Sequence, residues 1–351
     1  MNKESRAFSA FQVSEVAGPE GRTVYQGAVV ERQIADLPAG ELLIQVAYSS
    51  VNYKDAMSAN GNKGVTRKYP HTPGIDAAGV VIESDVEAFE VGDNVVVTGF
   101  DLGMDTAGGF GQFIRVPAAW ALKCPAGLSL EESMIIGTAG FTAALCVEKL
   151  MLNEVTPSSG PVLVTGASGG VGSFAVALLA QLGYEVTAMS GSADAAQWLR
   201  ELGASEIIDR QHFADASKRP LLAERWAGAV DVVGGDILFN VIKSLRYGGS
   251  VACCGLVAAP MFQATVFPFI LRGVNLLGVD SVTLPMEKRL PLWHRLGAEW
   301  KLEGLQQLKQ LIGLSDLQTS LQSLLKGNSI GRLVVSHDLG RDVASAGRDV
   351  D

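Results

Sequence analysis

A chain of 351 residues with 48% apolar composition can fill the cores of two ordinary domains, which excludes a wholly disordered protein. Its 28 basic and 37 acidic residues leave a net charge of -9, so no overall positive field exists to grip nucleic acid by its phosphates. The four cysteines, Cys124, Cys146, Cys253 and Cys254, follow no zinc-finger spacing, and a reducing compartment, the cytoplasm, is expected.

Residues Met1 to Phe11 mix Asn2, Lys3, Glu4, Ser5 and Arg6 with apolar residues and lack the hydrophobic stretch of a secretory signal. The longest apolar run, Phe174 to Leu182, holds Gln181 and falls short of the ~20 residues that span a bilayer. No membrane partner is expected. Glu41 to Tyr48 alternates Leu42, Ile44, Val46 and Tyr48, while Ala77 to Ile82 and Asn94 to Thr98 are β-branched runs closed by Gly92-Asp93 and Gly99. Together with Phe113 to Val116 they predict a mostly β domain. Ser129 with Glu132 forms a capping box that opens a helix through Met134, Ile135 and Ile136.

From Gly160 the texture changes to alternating strands and helices, the pattern of a parallel α/β sheet. Strands are predicted at Val162 to Thr165, Glu185 to Met189, Glu206 to Ile208, Val230 to Val233 and Ser250 to Cys254. Helices are predicted at Val171 to Leu182, Ala193 to Leu202 and Leu238 to Leu245. Beyond Pro268, a strand is expected at Val274 to Val279, helices at Lys288 to Leu296 and Leu302 to Leu311, and a short strand at Arg332 to Val335. Ser336 to Asp351 carries few large apolar groups and reads as a loose tail.

Val162-Leu163-Val164-Thr165 runs straight into Gly166-Ala167-Ser168-Gly169-Gly170-Val171-Gly172 and then an apolar helix. A tight strand-to-helix turn without Cβ atoms exposes backbone amides at the positive end of a helix, where a diphosphate accepts their hydrogen bonds. The spacing is not a strict G-x-G-x-x-G, and no lysine stands where an ATP-binding loop has one. Dinucleotide binding is expected, the alternative being a structural turn in a sugar- or nucleoside-binding fold. The following strand ends in Ser190-Gly191-Ser192, with no acidic residue to accept from a ribose 2′-hydroxyl. Serines there donate to a 2′-phosphate, and Arg210 at the next strand end can join them, so NADPH is preferred over NADH. Arg210 has a plainer reading as a solvated charge beside Asp209.

Further stretches complete a pattern: Ser49-Ser50-Val51-Asn52-Tyr53-Lys54-Asp55-Ala56, Pro73-Gly74-Ile75-Asp76-Ala77-Ala78-Gly79, Gly92-Asp93-Asn94-Val95-Val96-Val97-Thr98-Gly99, Gly137-Thr138-Ala139-Gly140-Phe141-Thr142-Ala143, Tyr247-Gly248-Gly249, the run from Phe267 to Val274, and Leu277 to Ser281. With these the chain resembles the medium-chain dehydrogenase/reductase superfamily, in its zinc-independent quinone-oxidoreductase-like branch and acrylyl-coenzyme A reductase group. The resemblance implies an α/β fold in which a doubly wound Rossmann sheet is inserted into a mostly β, GroES-like catalytic domain. The catalytic domain would take residues 1–128 plus 281–351, and the NADPH-binding domain residues 129–280, with the nicotinamide in the cleft. Carried over residue by residue, Tyr53 lies near the nicotinamide, Ser168, Gly169, Gly170 and Val171 hold the diphosphate, and Ser190, Gly191, Ser192 and Arg210 hold the adenosine phosphate. Leu256, Ile270, Ser281 and Asn328 line the rest of the cofactor path. Ser192 stands where many relatives have Arg, which shifts the work onto Arg210.

The resemblance also implies a chemistry, reduction of an activated C=C bond such as that of acryloyl-coenzyme A, with quinones or other enones as the alternative substrate class. Tyr53 can donate a proton or hydrogen bond and Asn52 can orient a carbonyl, or Tyr53 can simply pack under the cofactor while Asn52 caps the next helix. Lys63, Arg67 and Lys68 are candidates for coenzyme A phosphates, unless they are only a solvated face. No metal is expected: Gly74-Ile75-Asp76 replaces the Gly-His-Glu signature of zinc-dependent relatives, and His71 has no ligand cluster in the sequence. A homodimer is expected through Val274 to Val279, as in many relatives. A non-catalytic NADPH-binding sensor is the remaining, non-enzymatic reading.

Overall fold

The structure, a computed structural model, describes residues 6–213 and 219–338. It divides into two units. The first takes the described residues up to Thr138, Val282–Gly297 and those from Leu305 on, and the second takes Ala139–Ser281 and Ala298–Gly304. The division thus falls at Thr138, within a helix, rather than ahead of it at residue 128.

The first unit begins with an antiparallel ribbon, β1 (Ala7–Ala17) and β2 (Thr23–Gln33), in which Ala7 faces Gln33 and Ala17 faces Thr23. Its main sheet combines β3 (Leu42–Ser50), β4 (Asp76–Ser84), β5 (Asn94–Thr98), β6 (Phe113–Val116) and β7 (Ala121–Lys123). Two late strands, β14 (Lys309–Ile312) and β15 (Arg332–Ser336), complete it in the order β14-β15-β3-β4-β5-β7, with β6 on β3. Alternation places Leu42, Ile44 and Val46 in one buried cluster with Val81, Val95, Val97 and Ile114. Helix α1 (Tyr53–Ala59) follows β3, and α8 (Met286–Leu296) and α9 (Leu317–Leu325) belong to the same unit.

The second unit is a six-stranded parallel sheet of β8 (Val162–Thr165), β9 (Val186–Ser190), β10 (Glu206–Asp209), β11 (Trp226–Asp231), β12 (Leu245–Cys253) and β13 (Asn275–Gly278), ordered β10-β9-β8-β11-β12-β13. Every residue of β8, β9 and β11 is buried, as expected of strands covered on both faces. Their crossovers contain α3 (Gly170–Gln181), α4 (Ala196–Glu201), α5 (Arg210–Phe213), α6 (Gly235–Ser244) and α7 (Phe267–Arg272). The chain enters this unit through α2 (Leu130–Leu152), which bends at Gly137, where φ is 49° and ψ is -158°. This 23-residue helix is the longest apolar helix among the described residues, and 72% of its most apolar stretch is buried in the fold.

Three further expectations differ from the structure. Leu302–Leu311 is not a helix: Leu305–Leu308 makes a single 3-10 turn and the chain then extends into β14, whose pairing of Lys309 with Arg332 overrides the helical spacing of the leucines. β11 stops at Asp231 instead of Val233, because the Asp231 carboxylate accepts from the Gly234 amide and turns the chain. The tail begins later than expected: Ser336 ends β15 and His337 is buried against the Gly109 carbonyl, while residues 339–351 lie outside the described residues.

Candidate active site

The glycine-rich turn joins β8 to α3 in the parallel unit. Gly166 has a φ of 59°, a left-handed conformation that favours glycine. A Cβ on Gly172 would lie 2.3 Å from the Gly166 carbonyl oxygen, so that glycine lets the helix close on the strand. Gly169 is different. It is the N-cap of α3 with ordinary extended angles, φ -80° and ψ 176°, and no side chain caps the helix there. A Cβ on it would meet nothing nearer than the Gly166 oxygen at 3.5 Å. Neither strain nor crowding requires glycine at 169, yet its bareness leaves the uncapped amides of α3 open to an incoming anion.

Beside the turn, at the end of β9, the Ser190 hydroxyl donates to Ser168 Oγ at 3.1 Å and accepts the Ser192 amide at 3.0 Å. β10 runs parallel to β9 with Asp209 opposite Ser190, so the next residue, Arg210, starts α5 at the same end of the sheet. Its guanidinium lies across Gly191, where a Cβ would come within 3.1 Å of Nη2 and 3.2 Å of Cζ. Ser168, Gly169, Gly170, Val171, Ser190, Gly191, Ser192 and Arg210 therefore form one patch: amides, hydroxyls and one exposed cation, with no carboxylate at the end of β9. Leu256 and Ile270 are exposed in the same unit, Ser281 is buried and accepts from Thr142 Oγ1 at 2.7 Å, and Asn328 is an exposed residue of the first unit.

In the first unit Asn52 is the N-cap of α1 and Tyr53 its first residue. The cap is made by Asp55, whose Oδ2 accepts the Asn52 amide at 2.8 Å, not by the Asn52 side chain. That side chain turns inward: Nδ2 donates to Asp76 Oδ2 at 2.8 Å and to the Ser50 carbonyl at 3.3 Å, and Oδ1 accepts from Arg332 Nη1 at 3.3 Å. Both amide hydrogens are thereby used. Tyr53 is half-buried and makes no side-chain hydrogen bond among the described residues. Asp55, Asp76 and Arg332 were not singled out from the sequence for the site. Burial, reinforced by repulsion from Asp76, lifts the Asp55 carboxyl from 3.8 to about 7 against three amide donors.

Two family models match the chain, an alcohol dehydrogenase GroES-like domain over residues 38–126 and a zinc-binding dehydrogenase over residues 170–296. The acrylyl-CoA reductase AcuI of Ruegeria pomeroyi is 47% identical over 310 residues, 88% of this chain and 94% of that protein. The chain belongs to the medium-chain dehydrogenase/reductase superfamily. Within it, this oxidoreductase falls in the quinone-oxidoreductase-like branch and the acrylyl-coenzyme A reductase group. The crystal structure of the yhdH oxidoreductase from Salmonella enterica in complex with NADP is 41% identical with a TM-score of 0.88, covering 93% of this chain and 99% of its own. That of Bacillus subtilis yhfP with NAD bound is 41% identical with a TM-score of 0.90, covering 95% and 100%.

One matching family carries zinc in its name, and a zinc site needs a gathered set of ligand side chains. Among the described residues no three His, Cys, Asp or Glu side chains gather as a ligand set. His71 is buried with Nε2 2.9 Å from the Gly103 carbonyl, and Asp76 is fully engaged in hydrogen bonds. Burial pushes the Cys124 and Cys253 thiols up to about 11, so neither is an activated thiolate at neutral pH.

Proposed function

We propose that this reductase uses NADPH to reduce the activated C=C bond of acryloyl-coenzyme A to propanoyl-coenzyme A, with hydride added at the β-carbon and a proton at the α-carbon, in the cytoplasm and without zinc. The observation that carries the reading is Gly169, bare without structural need above the uncapped start of α3. Amides of Ser168 to Val171 would hold the diphosphate, and the hydroxyls of Ser190 and Ser192 with Arg210 the 2′-phosphate, a group that a carboxylate at the end of β9 would repel. Leu256, Ile270, Ser281 and Asn328 are proposed to line the remaining path of the cofactor. When bound, NADPH supplies the hydride. Tyr53, whose hydroxyl has no partner among the described residues, is the donor proposed to meet the thioester oxygen as negative charge develops on it. Asn52, with both amide hydrogens used, serves that step by holding the start of α1.

A quinone or other small enone is the second reading, and one observation favours it. Of the three cations proposed for coenzyme A phosphates, Lys63 already pairs with Glu15 at 2.6 Å and Arg67 with Asp105, leaving Lys68 without a partner among the described residues. Both pairs are exposed, however, and solvent screens such pairs, so a phosphate can displace them at little cost. Initial rates on acryloyl-coenzyme A, a benzoquinone and a simple enone, each with NADPH and NADH, test the proposal. Highest kcat/KM on the thioester with NADPH supports it; preference for the quinone transfers it to the second reading, and saturable NADPH binding without turnover on any of the three overturns both. We also infer a homodimer through the outer edge of β13, next to exposed Val266, Ile270, Leu271 and Leu276. A monomer at every concentration in light scattering would refute it.

A further inference from the structure

Three ionisable side chains are buried in the first unit around Asn52, the residue before Tyr53: Asp55 and Asp76 at 0% exposure and Arg332 at 2%. Asp76, the first residue of β4, accepts four hydrogen bonds. They come from Ser50 Oγ at 2.6 Å, Asn52 Nδ2 at 2.8 Å, the Thr138 amide at 2.9 Å and Thr138 Oγ1 at 2.6 Å. Arg332, the first residue of β15, spreads its donors over the carbonyls of Ile135 at 3.0 Å and Val51 at 3.1 Å, Asn52 Oδ1 at 3.3 Å and Ser50 Oγ at 2.7 Å. Its Nη2 is 3.8 Å from Asp76 Oδ2. The Asn52 amide is clamped between the two charges, nitrogen toward the carboxylate and oxygen toward the guanidinium.

The surrounding backbone is shaped to the same cluster. A Cβ on Gly137 would fall 2.5 Å from Ser50 Oγ, 2.6 Å from Asp76 Oδ2 and 2.8 Å from Arg332 Nη2, which is why α2 bends on a bare residue. Asp55 ties the other side: Oδ1 accepts the amides of Gly74 at 3.1 Å and Ile75 at 2.9 Å, the two residues leading into Asp76, while Oδ2 caps α1. The backbone on both sides of Tyr53 is therefore fixed to the start of β4. For stability alone such a cluster has little to recommend it, since apolar groups of equal volume often stabilise a core as well as a buried ion pair.

We propose that Asp76 and Arg332 are positioning residues for the reduction, fixing Tyr53 through the clamped side chain of Asn52. The proposal rests on the reading of Tyr53 as the group that meets the substrate oxygen. A slight displacement of that donor costs turnover, because an error of about 1 Å in a reacting geometry can cost on the order of 100-fold. It leaves the hold on the phosphates of NADPH alone, since that hold is assigned to the other unit.

The test is a double-mutant cycle of Asp76→Asn and Tyr53→Phe, with kcat measured on whichever activated alkene or quinone the wild-type enzyme reduces and NADPH affinity measured by direct titration. Asp76→Asn is expected to lower kcat by about 10- to 100-fold with the NADPH Kd within about twofold, and to have almost no further effect on Tyr53→Phe. Thr138→Val, which removes one bond to Asp76 and keeps its charge, is expected to show a smaller loss with the same non-additivity, and serves if Asp76→Asn does not fold. Independent, additive losses overturn the proposal, as does an unchanged kcat or a loss of NADPH affinity in step with it. A wild-type enzyme that reduces a quinone but not acryloyl-coenzyme A removes the substrate assignment while the cycle still judges Asp76. One that reduces no alkene or quinone ends both.

Discussion

Replacing Gly169 by Ala separates a ligand-binding role for the glycine turn from a structural one. The backbone angles at 169 suit any residue, and the added methyl would make only an ordinary contact at 3.5 Å, so the fold should not register the change. A Gly→Ala change at compatible angles gains about 0.4–1 kcal/mol through the unfolded chain. The same methyl adds bulk at the N-cap of α3, whose first amides no side chain caps. If it displaces a diphosphate enough to lose one charge-assisted hydrogen bond of about 1.5–3 kcal/mol, the NADPH Kd rises by about 10- to 100-fold. Fluorescence titration with NADPH, paired with thermal unfolding of the ligand-free protein, reads the two effects separately. An unchanged Kd with unchanged stability would show that the turn does not hold the cofactor, and a large fall in melting temperature would show that the space around Gly169 was misread.

The neighbouring Gly172→Ala should behave oppositely: its Cβ would be 2.3 Å from a backbone oxygen, and overpacking of this kind costs about 1–3 kcal/mol, visible as a lower denaturation midpoint without ligand. Arg210→Ala should raise the KM for NADPH by about tenfold or more and leave that for NADH nearly unchanged, and equal effects on both would remove Arg210 from the 2′-phosphate. Asp55 titrates near 7 in the fold but near 3.8 when unfolded, so between these values the folded state holds the extra proton. Its contribution to stability is complete below about pH 4 and declines by on the order of 4 kcal/mol as pH rises to about 7. Denaturant melts from pH 4 to 8 should therefore show the stability difference between wild type and Asp55→Asn shrinking as pH rises, and a constant difference refutes the assignment. Dialysis against a chelator should leave NADPH-dependent turnover unchanged; one tightly held, activity-requiring zinc per subunit by elemental analysis would defeat the zinc-free mechanism.

The parallel unit was readable from sequence because strands buried on both faces are written as unbroken apolar runs, and because the turn at Gly166 interrupts one of them abruptly. That Ser190 and Arg210 lie close together was readable for the same reason, since strand ends in such a sheet share one side. The ribbon of β1 and β2 was not: most of β2 is exposed or half-buried, so its residues carry little alternation. β14 was missed because Leu302, Leu305 and Leu308 keep a helical interval while serving a 3-10 turn and a core contact. The cluster around Asn52 left the faintest trace. Its members come from positions 50, 52, 55, 76, 138 and 332, and each alone looks like a turn or surface residue. Arg332 at the head of the apolar run Leu333-Val334-Val335 was the available clue, because a cation entering a core demands an anion somewhere.

The pairing of β15 with β3, Val334 against Ser50, also sets a timetable for biosynthesis. Translation produces the carboxylates of Asp55 and Asp76 long before the guanidinium that balances them, and the whole parallel sheet emerges in between. The nascent β unit must wait with an uncompensated pair of acids, whereas the inserted unit has all six of its strands by residue 278 and is free to fold first. A ribosome stalled shortly before codon 332 would then display a protease-resistant parallel sheet next to an N-terminal segment that is still cleavable.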